Sequence, residues 1–172
     1  MRRLSIAFLT TALLAGSATA ETFKDWQVNC DASRQCRAIG LAAGDPDARG
    51  YLGIHRSFET SAPVELRFAV ADPTGGLAGR PHVLLADGKS IASLARPITF
   101  SEPEEDGGLV EATLAVDETS NLLQALRQHH SLQLQAADGS LAVNVSLAGA
   151  TAAWLYMEER LGRNALPAGP AT

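Results

Sequence analysis

Apolar and polar residues alternate with a period of two through much of the region between positions 26 and 116. In the clearest segment, Val64, Leu66, Phe68 and Val70 alternate with polar or small residues. Successive side chains of a β-strand point to opposite faces of a sheet, so this pattern predicts strands that each bury one face. Turn-forming pairs such as Asp87-Gly88 separate the runs and predict hairpins. The sequence therefore favours a largely antiparallel sheet.

The period changes in two later segments. A helix is predicted over 118–128, where three leucines share one face, just before the last predicted hairpin. A second helix is predicted over 150–162, with an apolar stripe made by Ala150, Trp154, Met157 and Leu161. Glu158, Glu159 and Arg160 are predicted to lie opposite that stripe. The order of elements predicts an α+β fold, a sandwich-like and mainly antiparallel sheet with two helices.

The N-terminal segment 1–20 has the organisation of a secretory signal peptide. Two arginines precede an apolar run, and the segment ends in Ala18-Thr19-Ala20. The run is too short to span a bilayer, and Ser17 stands where a lipoprotein signal needs a cysteine. We therefore expect a periplasmic protein that is not a lipoprotein, with one domain over 21–163 and a flexible tail over 164–172. A buried N-terminal helix is the alternative reading.

Charge and composition exclude some classes of binding partner. The chain has 172 residues and a formal net charge of −5, so it lacks the basic surface that nucleic acids or anionic membranes attract. With 46% hydrophobic residues it can bury an ordinary core. We expect no nucleic-acid partner and no membrane span after signal cleavage.

Cys30 and Cys36 are the only two cysteines. Turn-forming residues lie between them, and export would place them in an oxidising compartment. A disulfide across a hairpin is predicted, and closing so short a loop contributes about 2 kcal/mol. A redox pair or half of a metal site are the alternatives.

No motif for catalysis is present in the sequence. It contains no nucleophile elbow, phosphate-binding loop, dinucleotide fingerprint or zinc-protease motif. The adjacent His129 and His130 follow a predicted helix, where imidazolium suits the helix dipole. Trp26 and Trp154 are in phase with apolar stripes, which favours core packing over ligand stacking. We predict no enzyme activity, no metal and no cofactor.

Arg56 and Arg67 are the first candidates for an interaction site. They lie on consecutive predicted strands, and two guanidinium groups on one sheet face would suit an anionic ligand or partner. Cross-strand salt bridges to Glu59 and Glu65 are the alternative.

An acidic loop over 102–108 supplies the other candidates, Glu104, Glu105 and Asp106. Clustered carboxylates would steer the loop toward a cationic target. Calcium binding is the alternative, although the loop lacks the spacing of an EF-hand. Acidic runs are also commonly solvated without a specific role.

Two blocks of the sequence resemble an exported bacterial family, the domain of unknown function 1176. The first block comprises Phe23–Asp31 (FKDWQVNCD) and Cys36–Ala38 (CRA). The second comprises Val145–Trp154 (VSLAGATAAW), Met157–Glu159 (MEE) and Gly162–Arg163 (GR). Family members carry Gln at the position of Leu161, and they continue into a further half that this sequence lacks. The blocks are also similar in pattern to invasion-associated locus B proteins.

Neither family supplies a catalytic residue. The resemblance implies an exported, disulfide-containing, β-rich domain for which interaction is more plausible than catalysis. The leading hypothesis is a non-catalytic periplasmic binding or protein-interaction module, whose partner is an unknown protein or envelope ligand. The alternative is an envelope-associated inhibitor or protector, or an invasion-associated factor, acting on a host or lytic enzyme through the loop 42–50 or 102–108.

Overall fold

The computed structural model describes residues 20–42, 50–59, 61–72, 76–90, 98–101, 109–114 and 123–163. The predicted signal peptide, the predicted tail, the acidic loop and nearly all of the loop 42–50 lie outside these ranges. No helix within the described ranges is both long and apolar enough to cross a membrane.

Eleven strands and two helices make up the described fold. The strands are β1 (Glu21–Phe23), β2 (Trp26–Cys30), β3 (Gln35–Leu41), β4 (Gly50–Ser57), β5 (Glu65–Ala71), β6 (Pro81–Ala86), β7 (Lys89–Ser90), β8 (Ile98–Thr99), β9 (Leu109–Thr113), β10 (Ser131–Ala136) and β11 (Leu141–Ser146). Helix α1 is described over 123–128, and its predicted start lies outside the described residues. Helix α2 is Ala150–Arg160.

The strands form two antiparallel sheets. The first sheet has the order β1-β2-β3-β4-β5-β9, and the second has the order β11-β10-β6-β7, with β8 beside β6. The chain crosses between the sheets after β5, β8 and β9. An isolated bridge between Ala42 and Val145 also connects them. The predicted α+β, sandwich-like architecture is confirmed.

A single hydrophobic core lies between the inner faces of the sheets and helix α2. The period-two pattern places its members as predicted: Leu66, Phe68 and Val70 of β5 are buried. The predicted stripe of α2 is also confirmed, since Ala150, Trp154, Met157 and Leu161 are all buried.

Trp26 lies at the centre of this packing. Its side chain is fully buried, and its indole Nε1 donates a hydrogen bond to the Ser146 carbonyl at 2.9 Å. Gly40 lies directly opposite on β3, where a Cβ would come within 2.5 Å of the indole ring. Glycine at position 40 therefore makes room for the tryptophan.

The predicted disulfide between Cys30 and Cys36 is confirmed. The two residues are directly paired on β2 and β3, and their Cα atoms are 4.1 Å apart. Asp31 organises the turn between the strands, because its carboxylate accepts hydrogen bonds from the Gln35 N–H and the Ser33 hydroxyl. These bonds lower the pKa of Asp31, the bond from Ser33 having the largest effect.

The prediction that Glu158 lies opposite the apolar stripe is wrong. Its side chain is buried, and its Oε1 lies 3.2 Å from Nε of Arg56. The helical pattern identifies the apolar stripe, but Glu158 lies beside that stripe rather than opposite it. A buried carboxylate needs an oppositely charged partner, and β4 supplies one.

Candidate functional site

The outward face of the first sheet carries a row of polar residues. Asn29, Arg37, His55 and Glu65 lie directly opposite one another on β2, β3, β4 and β5. Each alternates with buried neighbours such as Ile54, so the same period that builds the core turns these side chains outward. We call these four residues the outer row.

An open groove of about 800 Å³ follows the outer row. Its polar lining consists of Asn29, Asp31, Gln35, Arg37, His55, Arg56, Ser57, Glu65 and Thr113. Apolar side chains at its edges include Ile39 and Val64. We call this feature the outer groove, and its chemistry is that of a mixed set of hydrogen-bond donors and acceptors.

Arg37 supplies a guanidinium group whose charge is not neutralised by a nearby carboxylate. Its Nη2 donates to the hydroxyl of Tyr51 at 2.9 Å, and its guanidinium carbon lies 5.3 Å from the centre of that ring. Its Nε is buried without a hydrogen-bond partner. Across the described ranges, no salt bridge involves Arg37. The Tyr51 contact therefore orients a cation that remains available to an anion.

His55 lies across from Arg37 and rests over Gly53. A Cβ at Gly53 would lie 3.2 Å from Nε2 of His55 and 3.4 Å from the ring of Tyr51, so glycine lets both rings lie along the sheet. Burial, and secondly the positive charge of Arg37, lower the pKa of His55. The imidazole is therefore mainly neutral at pH 7, with one donor and one acceptor nitrogen. Its Nε2 is buried without a partner.

Arg67, in contrast, is neutralised by two carboxylates. It forms salt bridges with Glu65, and with Glu111 at 3.0 Å. The hydrogen bond that Arg67 donates to Glu65 is the largest of the effects that raise the pKa of Arg67. One guanidinium between two carboxylates leaves a local charge of about −1 on the β5–β9 side of the face.

The prediction that Arg56 and Arg67 share one sheet face is wrong. Arg67 lies opposite Gly53 in the β4–β5 register and faces outward, whereas Arg56 has the opposite parity. Nε of Arg56 binds Glu158, and its Nη1 donates to the Ala62 carbonyl at 3.2 Å. The cross-strand salt bridges of the alternative differ from those found: Arg67 pairs with Glu65 on its own strand and with Glu111 across strands, and Arg56 pairs with Glu158 instead of Glu59. As binding candidates, both arginines stay predictions.

The other sequence candidates lie elsewhere. Glu104, Glu105 and Asp106 fall outside the described residues, so their role stays a prediction. Sequence reasoning missed Arg37, His55 and Ser57. Their odd positions, out of phase with the buried residues of β3 and β4, were the signal that could have placed them on the outer face.

His129 and His130 meet a carboxylate that the sequence did not place near them. Nδ1 of His129 lies 3.1 Å from Oδ2 of Asp87, and Nδ1 of His130 lies 3.6 Å from the same oxygen. Oδ1 of Asp87 accepts the backbone N–H groups of His130 and Ser131. Burial opposes ionisation, but these hydrogen bonds outweigh it and lower the pKa of Asp87 to about 2. Over the described part of the chain, no group of three or more such side chains is arranged to hold a metal ion.

The fold and the outer groove define a disulfide-containing domain of two antiparallel sheets with a polar groove on one outer face. A family model described as "Protein of unknown function (DUF1176)" matches residues 20–166, and the chain belongs to that family. No curated protein and no solved structure matches the chain. The similarity to invasion-associated locus B proteins stays a prediction.

Proposed function

We propose that the protein is exported to the periplasm and acts as a non-catalytic binding module whose outer groove holds a polar ligand. One observation carries this proposal. Of the nine buried side-chain polar atoms that lack a hydrogen-bond partner among the described residues, four lie together on the outer face: Nε of Arg37, Nε2 of His55, Oγ of Ser57 and Nε of Arg67. Buried polar atoms normally have partners, so a cluster of unpaired ones marks a surface that a ligand completes.

Two features support export. The segment 1–20 has the three parts of a signal peptide. The disulfide between Cys30 and Cys36 belongs to the class of bonds that persist in oxidising compartments.

The chemistry of the groove supports binding over catalysis. His55 is the residue best suited to acid–base chemistry, and Ser57 carries a hydroxyl two residues further along the same strand and on the same face. Both Nε2 of His55 and Oγ of Ser57 lack hydrogen-bond partners, so this pair is not linked as a nucleophile and its base would be. Fixed, unpaired polar groups instead favour recognition of a complementary ligand.

The test is a titration of the ¹⁵N-labelled protein with small-molecule and macromolecular fractions of the periplasm of its host. Gln35→Trp fills the groove at an exposed position, and Gln128→Trp, on an exposed position of α1, is the matched control. We expect a fraction that shifts backbone amide resonances around the outer row in the native protein and in Gln128→Trp. The same shifts are expected to disappear in Gln35→Trp. Shifts confined to other surfaces, or shifts unaffected by Gln35→Trp, would refute the proposed function.

A further inference from the structure

We infer that the ligand group bound at Arg37 is a single carboxylate, carried by an acidic sugar or by an amino-acid derivative. The inference rests on the proposed function of the outer groove. It adds the chemical class of the group that the groove recognises.

The two arginines of the outer face differ in the partners that their guanidinium groups contact. Arg67 already holds Glu65 and Glu111, whereas Arg37 contacts the uncharged hydroxyl of Tyr51. Tyr51 orients the Arg37 guanidinium through Nη2, and Nε is enclosed by the protein, so a ligand in the groove would meet the Nη end of the group. A planar fork of N–H donors held in place matches the two oxygens of a carboxylate.

The charges around Arg37 favour a ligand group with one negative charge over a group with two. Arg67 with its two carboxylates leaves about one negative charge on the β5–β9 side. Glu65 is two strands away from Arg37, or about 10 Å at ordinary strand spacing. That separation is comparable to the Debye length at physiological ionic strength, so the repulsion is only partly screened. Of the two described arginines that line the groove, Arg56 is paired with Glu158, so a dianion such as phosphate would meet this repulsion with Arg37 as its counter-charge, while a monoanion is matched by Arg37 alone.

His55 and Ser57 lie on the strand next to Arg37. His55 is directly across from Arg37, and Ser57 is two residues further along β4. The lowered pKa of His55 keeps it uncharged at pH 7, so it adds a hydrogen-bonding atom without a second positive charge. The unpaired hydroxyl of Ser57 adds a donor and acceptor in the same groove. Together they suit a polar molecule with one negative charge.

The experiment follows the side-chain Nε–H resonance of Arg37 and the amides of the outer row in the full ¹⁵N-labelled protein. Galacturonate and N-acetylglycine are the carboxylate probes for the two sources, galactose is the neutral match of galacturonate, and inorganic phosphate, titrated at a pH above its second pKa, is the dianion. We expect saturable shifts with at least one carboxylate, no saturable shift with galactose, and binding of phosphate at least about tenfold weaker. The carboxylate probe that binds more tightly identifies the source. Equal binding of galactose and galacturonate, tighter binding of phosphate, or no shift with either carboxylate would overturn the inference.

Substitutions separate this inference from the proposed function. Arg37→Gln is expected to weaken carboxylate binding about tenfold or more, because it removes a charge-assisted hydrogen-bonding group. Arg37→Lys keeps the charge without the fork and is expected to restore part of the affinity. Arg80→Gln, at an exposed turn, is the control and should bind as the native protein does.

The periplasmic fractions give the decisive comparison. If Gln35→Trp abolishes their binding while Arg37→Gln leaves it unchanged, the groove binds a ligand but not through a carboxylate at Arg37. The inference then fails and the proposed function stands. If neither substitution changes the binding, both fail.

Discussion

The buried ion pair between Arg56 and Glu158 makes the sharpest prediction about stability. It joins β4 to helix α2 at a distance of 3.2 Å, and the relative exposures of the two side chains are 16% and 8%. Replacing Glu158 with Leu leaves the Arg56 charge in this position without its carboxylate. Removing one member of a buried pair costs about 3–5 kcal/mol. Because Arg56 keeps its bond to the Ala62 carbonyl and some solvent contact, we expect the lower end, about 3 kcal/mol.

Arg56→Met is expected to cost at least as much, because it leaves the more buried of the two groups unpaired. The double variant Arg56→Met/Glu158→Leu removes both charges and fills the space with apolar side chains. Such replacements are often close to neutral, so we expect the double variant within about 1 kcal/mol of the native protein. The two substitutions are therefore predicted to be strongly non-additive.

Urea unfolding followed by circular dichroism measures all four proteins. With an m value of about 2 kcal/mol/M, a loss of 3 kcal/mol moves the unfolding midpoint by about 1.5 M. A single substitution that costs less than about 1 kcal/mol would refute the reasoning. So would a double variant as unstable as the sum of the single ones.

Two further predictions concern a carboxylate and a glycine. The pKa of Asp87 is lowered to about 2 in the folded protein, below its ordinary value of 3.8, so its ionised form stabilises the fold above about pH 4. This contribution is lost as the pH falls through about 2. The difference in melting temperature between the native protein and Asp87→Asn should therefore shrink over that range, and a constant difference would contradict the prediction. Gly40→Ala places a methyl group within 2.5 Å of the Trp26 ring and is expected to cost about 1–3 kcal/mol in urea unfolding, with a displaced indole N–H resonance. An unchanged midpoint would show that the ring has room to move.

Local patterns predicted most of the fold because burial of one face imposes a period on each strand. The alternation that includes Leu66, Phe68 and Val70 predicted a strand, and β5 is found over Glu65–Ala71 with these three residues buried. Leu132 and Leu134 of β10 are buried in the same alternating way. In each case the neighbours along the chain carry enough information, since a shift by one residue would expose the apolar face.

The predicted positions of side chains were wrong where the position depends on a partner that is distant in the sequence. Glu158 pairs with a residue 102 positions away in the sequence, and no local pattern reports that separation. The error at Arg56 was avoidable, because Arg56 has the parity of the buried Ile54 while Arg67 is out of phase with the buried Leu66. The alternation itself assigned the two arginines to opposite faces.

The candidate site was the least predictable part. The sequence did not single out any residue of the outer row as a binding residue, and only the strand register places Arg37 directly across from His55. The loop between β3 and β4 hides that register, because a change of one residue in the loop would bring a different side chain opposite His55.

The bond from Trp26 to Ser146 joins residues 120 positions apart, and it has a consequence for the timing of folding. The Asp25 N–H also bonds the Ala148 carbonyl, and Gly149 packs so closely on the Phe23 carbonyl that a Cβ would lie 1.9 Å from it. A polypeptide that emerges from a ribosome or a translocation channel with its N-terminus first presents β1 and β2 long before these partners exist. The Cys30–Cys36 loop is local and is free to oxidise early. Closure of the domain waits for β11 and α2, so the newly made chain stays open to chaperones and proteases until its last helix has emerged.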